Sequence, residues 1–354
     1  MKYYRSFFIR SICMAWCSLI LLGCSNDVHA NAEDHFANLY VDYQPGFNTF
    51  VSATWNSMFS DVKNLEPTTP IPLMKMSRAA VVNEQQDVAY RIGHSTVLIK
   101  LGNQWILTDP MFSRRASPLQ WVGPKRFSDL PIQIAQLPAI DVVVISHNHY
   151  DHLDKASILA LAPKVGRFLV PEKVGAILIK WGVEATKVHP MNWWDETDVG
   201  STHFVFTPTQ HFSERSLTDQ NETLWGSWVI LAPTHHVFFS GDSGYFAGFK
   251  QIGDRFGPFD LAFMEDGQYS KDWPVIHMFP EQMIQATQDL RAKVVMPIHN
   301  STFRLANHPW NEPLEKAWAI SQQKGVTMVA PEFGQRYVIG GTFEQQEWWE
   351  GEKQ

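Results

Sequence analysis

Cysteine is almost missing from this 354-residue chain. The three that occur are Cys13, Cys17 and Cys24, so nothing beyond residue 24 can form a disulfide or hold a metal through sulfur. Charge is sparse too, at 18% of residues, and 29 Lys and Arg against 36 Asp and Glu leave a net −7. A nucleic-acid partner calls for a basic face and is not expected. No apolar run reaches the roughly 20 residues that cross a bilayer as a helix; the one candidate, residues 11–22, falls short. Internal repeats and low-complexity blocks are absent as well. What the chain does have is apolar substance. Hydrophobic residues make up 45% of it, enough to exclude disorder over most of its length. Its 14 Trp and 23 Phe suit a large packed core, an apolar substrate groove, or both.

Lys2, Arg5 and Arg10, with no acid among them, precede the short apolar stretch, the pattern of a secretory signal peptide. Its end, Leu21-Leu22-Gly23-Cys24, resembles the bacterial lipobox, in which the cysteine is acylated and becomes the first mature residue. The alternative is an uncleaved N-terminal anchor. Either way the expectation is a domain tethered to a membrane outside the cytoplasm, in a bacterial cell envelope. Ser25 resembles the signal for sorting to the outer membrane, on its periplasmic side. Three segments are expected: a lipoprotein signal peptide over 1–23, a tether and irregular, aromatic-rich lead-in over 24–70, and a single hydrolase domain over 71–345.

Short strands are expected at 88–92, 96–101 and 105–108, with Gly102-Asn103 as a hairpin turn. Residues 141–145, Asp-Val-Val-Val-Ile, read as a strand buried on both faces. Helices at 154–162 and 172–181 flank a strand at 168–170. Further strands follow at 203–207, 225–231 and 237–240, then strand 260–264, helix 280–291, strand 293–298 and helix 312–324. Helices interspersed among strands in this way imply a layered α/β domain.

Directly after the buried strand comes Ser146-His147-Asn148-His149-Tyr150-Asp151-His152-Leu153-Asp154, with four ligand-type side chains inside six residues. A strand end projects residues two apart to one side, so His147 and His149 can converge on one ion. Beyond the turn, Asp151 and His152 can address a second. Imidazole with carboxylate suits Zn²⁺, with iron or manganese as alternatives. Three more candidates each stand just past a later strand: His211, Asp242 and His299. Loops from different strands can bring such residues together on one sheet edge.

The segment His147-x-His149-x-Asp151-His152 resembles the signature of the metallo-β-lactamase superfamily. Trp121–Arg126, Ser146–Asp154, Leu224–Trp228 and Arg255–Leu261 are similar to the N-acyl-phosphatidylethanolamine-hydrolysing phospholipase D family, over roughly residues 75–325. The resemblance implies an αββα sandwich with a dinuclear metal site holding two Zn²⁺. It implies His147, His149 and His211 on one ion, Asp151, His152 and His299 on the other, and Asp242 bridging. Asp151, His277 and Asp242 are the expected catalytic residues, His277 matching a family histidine that faces the substrate phosphate.

Two cations sharing a hydroxide lower its pKa from about 15.7 toward 7 and aim it at an electrophile. The expected reaction is therefore its attack on a phosphodiester, most directly the membrane phospholipid the resemblance implies. The lack of a later cysteine disfavours β-lactamase chemistry. A lactonase or a soluble-diester phosphodiesterase on the same scaffold is the alternative, and a non-catalytic metal-binding envelope lipoprotein a third. Asp109, at a strand end, is the first candidate to orient a metal-bound histidine. Asp154, or a helix N-cap role for it, is the alternative. His94 is either such an orienter or a packed core histidine. The His235-His236 pair reads as a hairpin turn and His189, His203 and His308 as lacking partners, all five structural or surface residues. Glu265 and Asp266 stand where the phospholipase family is apolar, and are expected near the site mouth. Lys271, Asp272 and Phe279 also depart from the family pattern.

Overall fold

Strands that are buried on both sides need a second layer on each face, and the chain supplies it. A computed structural model describes residues 35–43, 61–216 and 218–350. Cys24, the expected signal peptide and most of the expected tether lie outside the described residues. The first sheet joins β1 (Val88–Gly93), β2 (Thr96–Leu101), β3 (Gln104–Thr108), β4 (Ile140–Val144), β5 (Val165–Pro171) and β6 (Val188–Met191), in order. The second runs from β7 (Glu196–Val199) through β8 (Thr202–Thr207), β9 (Ser227–Leu231), β10 (His236–Phe239), β11 (Leu261–Glu265) and β12 (Val294–Ile298) to β13 (Thr327–Met328). The last strand, β14 (Arg336–Val338), returns to pair with β1 in the first sheet.

Alternate residues of each strand divide two cores, as a two-residue period requires. Val97, Ile99, Val142 and Val144 of the first sheet meet Phe206, Trp228, Phe263 and Met296 of the second. Leu98, Val143 and Phe168 point the other way, onto α2 (Lys155–Leu161) and α3 (Val174–Trp181). On the far side, Phe238, Ala262 and Val295 meet α4 (Gly248–Phe256), α5 (Pro280–Asp289) and α6 (Glu312–Lys324). The order helix, sheet, sheet, helix is the expected αββα sandwich. Short α1 (Arg78–Val82), capped by Ser77, precedes it.

Several elements differ from expectation for local reasons. Helix α3 starts at Val174, because Lys173 sits in the left-handed region at φ 65°, and ends at Gly182 in the same region. Helix α4 was not anticipated: its two glycines weaken helix propensity, yet Phe249 and Ile252 form a buried face. Strands β6 and β7 escape the pattern because they are sheet edges, one carrying Pro190 and the other alternating polar residues.

Direction is what places the site. β3, β4, β5 and β6 run parallel, as do β10, β11, β12 and β13. β1 and β8 reach the same direction through two antiparallel steps. The C-terminal ends of β1, β3, β4, β8, β10, β11 and β12 therefore open onto one edge, each followed by a residue with chemistry to offer.

Candidate metal centre

His147, His149 and His211 offer nitrogens that all lie within 4.8 Å of one another. His149 Nδ1 is 2.9 Å from His147 Nε2 and 3.3 Å from His211 Nε2. A tetrahedral cation with metal–nitrogen bonds of about 2.0–2.1 Å sets its ligands about 3.3 Å apart, so the three nitrogens fit such an ion.

A second group gathers around Asp151. Its Oδ2 lies 2.8 Å from His94 Nε2, 3.2 Å from His299 Nε2 and 3.4 Å from His152 Nε2. Asp242 stands between the groups. Its Oδ2 is 3.0 Å from His299 Nε2 and 3.2 Å from His152 Nε2, against 3.9 Å from His147 and 3.8 Å from His211. All seven expected ligand positions thus meet at one edge, drawn from both sheets. His152 Nε2 and Asp242 Oδ1 are buried without a hydrogen-bond partner among the described residues. Leaving such atoms unmatched costs about 1–3 kcal/mol each, and a bound cation would answer both.

Supporting bonds fix these rings. Asp109 Oδ2 accepts from His152 Nδ1 at 2.7 Å, while Asp109 Oδ1 takes the Ser146 backbone N–H at 2.7 Å. Ser146 Oγ donates to Asp109 Oδ2 at 2.5 Å and lies 2.8 Å from His147 Nδ1, so one serine serves both groups. His211 Nδ1 donates to the Ile276 carbonyl at 3.0 Å. His94, Asp109 and His299 hold φ of 54°, 31° and 64°, strained values for residues with a Cβ, concentrated where the strand ends turn inward.

Electrostatics follow from proximity. Burial raises Asp242, but His152 and His299 outweigh it and hold the carboxyl well below the usual range. Burial would likewise lower His152, yet Asp242 and Asp151 push it well above the ordinary value. For His147, burial and then the neighbouring His152, His149 and His211 all act in one direction, downward. It is presented as neutral imidazole, the form that ligates a cation.

His94 is fully buried and bonded to Asp151, and Asp154 caps α2 through the N–H groups of Ala156 and Ser157. Two histidines read as lacking partners have them: His203 pairs with Glu196 and Asp198, and His308 accepts from the Gln268 N–H. His235, read as part of a hairpin turn, pairs with Asp87.

Glu265 and Asp266 are fully buried, not at a solvent-facing mouth. Glu265 Oε1 accepts from His277 Nδ1 at 2.9 Å, and Oε2 from the Met278 N–H at 3.0 Å. His277 packs nearly parallel to His299, with centroids 5.3 Å apart, so it borders the cluster. Burial and then Glu265 push Asp266 well above the carboxylate range, and its oxygens find no partner among the described residues. Asn38 was not anticipated either. Its Nδ2 donates to the His211 carbonyl at 2.8 Å and its Oδ1 accepts the His211 N–H at 3.1 Å.

An imidazole and carboxylate cluster able to hold metal, at the shared edge of an αββα sandwich, defines a metal-dependent hydrolase fold. The chain belongs to the metallo-β-lactamase superfamily: residues 104–300 match the model described as a Beta-lactamase superfamily domain. It is 42% identical over 287 residues to an uncharacterized protein of Mycobacterium tuberculosis, covering 80% of this chain and 77% of that one. It is 32% identical over 271 residues to N-acyl-phosphatidylethanolamine-hydrolyzing phospholipase D 1 of Caenorhabditis elegans, covering 73% and 75%. Among solved structures it is similar to Igni18, a metallo hydrolase of Ignicoccus hospitalis, at TM-score 0.54 and 21% identity, covering 74% of this chain and 100% of that one. That likeness concerns the fold.

Proposed function

We propose that this chain is a membrane-tethered, dinuclear zinc phosphodiesterase whose substrate is a phospholipid of the N-acyl-phosphatidylethanolamine type. The observation that carries the reading is the position of Asp242 Oδ2, within 3.9 Å of four imidazole nitrogens that belong to two groups. The relative in Caenorhabditis elegans supports the substrate class. The lipobox-like Leu21–Cys24 segment supports an envelope lipoprotein held by acylated Cys24.

Two cations held by His147, His149, His211, Asp151, His152, His299 and the bridging Asp242 would activate water and neutralise the phosphate. The chain's own part is orientation. Asp109 and Ser146 hold His152 and His147, while His94 secures Asp151. Glu265 occupies His277 Nδ1, which leaves Nε2 to bond the phosphate or to protonate the departing alkoxide oxygen. As water adds to phosphorus and the bond to that oxygen breaks, no side-chain nucleophile is needed.

Metal analysis of the purified protein, with assays on N-acyl-phosphatidylethanolamine, bis-p-nitrophenyl phosphate and an acyl lactone, tests the reading. Zinc at two per chain with diester cleavage is expected; lactone cleavage without diester cleavage would overturn it. Asp242→Ala should lose both metal and turnover, and an active, metal-replete variant would refute the bridging role.

A further inference from the structure

On a chain of net charge −7, the segment 113–126 carries Arg114, Arg115, Lys125 and Arg126 and no acid. It folds as a tight hairpin. Arg115 and Lys125 form an antiparallel bridge, Ala116 N donates to the Pro124 carbonyl at 3.0 Å, and Val122 N closes the tip onto the Leu119 carbonyl at 3.3 Å. The Arg115 guanidinium and the Gln120 side chain tie the two arms together. A rigid hairpin could hide its apolar tip, and this one does not. Trp121 is 74% exposed, more than any other large apolar side chain among the described residues, and Leu119 is 46% exposed.

Beside the hairpin lies a cleft of about 600 Å³. Leu73, Phe112, Phe127 and Leu130 form its apolar walls, and Arg114 and Lys125 stand at it, with Asp129 as the one acid lining it among the described residues. The side chains of Arg114 and Lys125 are exposed and make no hydrogen bond or ion pair among the described residues. Uncompensated cations beside an exposed Trp are the combination that settles at a lipid–water boundary, cations on headgroup phosphates and indole at their depth.

The base of the hairpin is wired to the metal centre. Arg126 Nη2 donates to the Met111 carbonyl at 2.6 Å, two residues past Asp109. Phe127 N donates to the Thr302 carbonyl at 2.9 Å, and Thr302 Oγ1 in turn accepts the His94 N–H at 2.7 Å. We propose that the 113–126 hairpin and its adjoining cleft dock the protein on the surface of an anionic phospholipid bilayer, delivering lipid to the metal centre. This deepens the phospholipase reading and rests on it for the purpose of docking, though the docking itself is tested without turnover.

The test uses the mature chain from Ser25 onward, so that neither an acyl anchor nor the apolar 11–22 stretch contributes. Hydrogen exchange is followed with phosphatidylglycerol vesicles, phosphatidylcholine vesicles, soluble glycerol phosphate, or nothing added. Slowed exchange over 113–126 is expected with phosphatidylglycerol vesicles alone. Arg114→Ala with Lys125→Ala should lower vesicle partitioning about thirtyfold, at the usual contribution of a cation near such a surface. Trp121→Ala should lower it further, with the thermal melt and bis-p-nitrophenyl phosphate turnover tracking the parent. Vesicle binding that leaves 113–126 unprotected overturns the inference, as does equal protection by phosphatidylcholine or by glycerol phosphate. Docking without any diesterase activity would instead sink the phospholipase reading and leave this one standing.

Discussion

Asp109 shows how much one buried carboxylate can organise. It is fully buried, so its ionised form survives only through its partners, and both tie it to the two imidazole groups: His152 directly, and Ser146, which reaches His147. Burial raises its pKa, and the His152 and Ser146 bonds oppose that rise. Asp109→Asn keeps the shape but can no longer accept at both oxygens. Its affinity for the ion near His152 should fall about 10–100-fold, while the site at His147, His149 and His211 fills nearly as before. Metal titration monitored ion by ion checks this; equal loss at both sites would place Asp109 in a general stabilising role. At this scale the sequence was readable where a motif stood next to an all-apolar strand, as His147–His152 does. Glu265 was misplaced because acids ordinarily seek water. Its position held the missed signal: it ends β11, between the strands that deliver Asp242 and His299. Asn38 carried no such signal, since its partner is 173 residues away in the chain.

Elements were legible in proportion to their burial. Central strands such as β4 declare themselves by unbroken β-branched runs, whereas edge strands are short, mixed in polarity and defined by whom they pair with. Strand β14 is an example, and one ion pair helps secure it. Arg336 donates to Glu84 from Nε at 2.6 Å and from Nη2 at 2.9 Å, and that contact holds the Glu84 carboxyl down from its ordinary 4.5 to about 2. A carboxyl with a depressed folded-state pKa stabilises fully above its unfolded value and ceases to do so as acid protonates it. The contribution is therefore complete above pH about 4.5 and lost as pH falls toward about 2. Glu84→Gln should flatten the stability loss across that window and act as a constant offset at neutral pH. Urea unfolding at a series of pH values reads it; an unchanged acid slope would show that Glu84 is not the titrating group.

For the whole molecule, the decisive fact is that the ligand-type residues come from two sheets. His147, His149, Asp151 and His152 follow the first, His211, Asp242 and His299 the second. Trp228 joins the same layers from within, its Nε1 donating to the Ile145 carbonyl at 2.9 Å. Ions bound between the sheets favour the folded chain by mass action, about 2.7 kcal/mol for each site at a hundredfold excess over its Kd. A chelator should accordingly lower the thermal midpoint by several degrees, and added Zn²⁺ should restore it in a concentration-dependent way. A melt indifferent to both would mean that no ion spans the sandwich.

Asn38 grips the backbone of His211 from both sides, and Phe36 N is fastened to the Asn221 carbonyl in the same loop. Tension on the chain ahead of residue 36 would therefore reach the His211 loop of the candidate metal centre before any strand gave way.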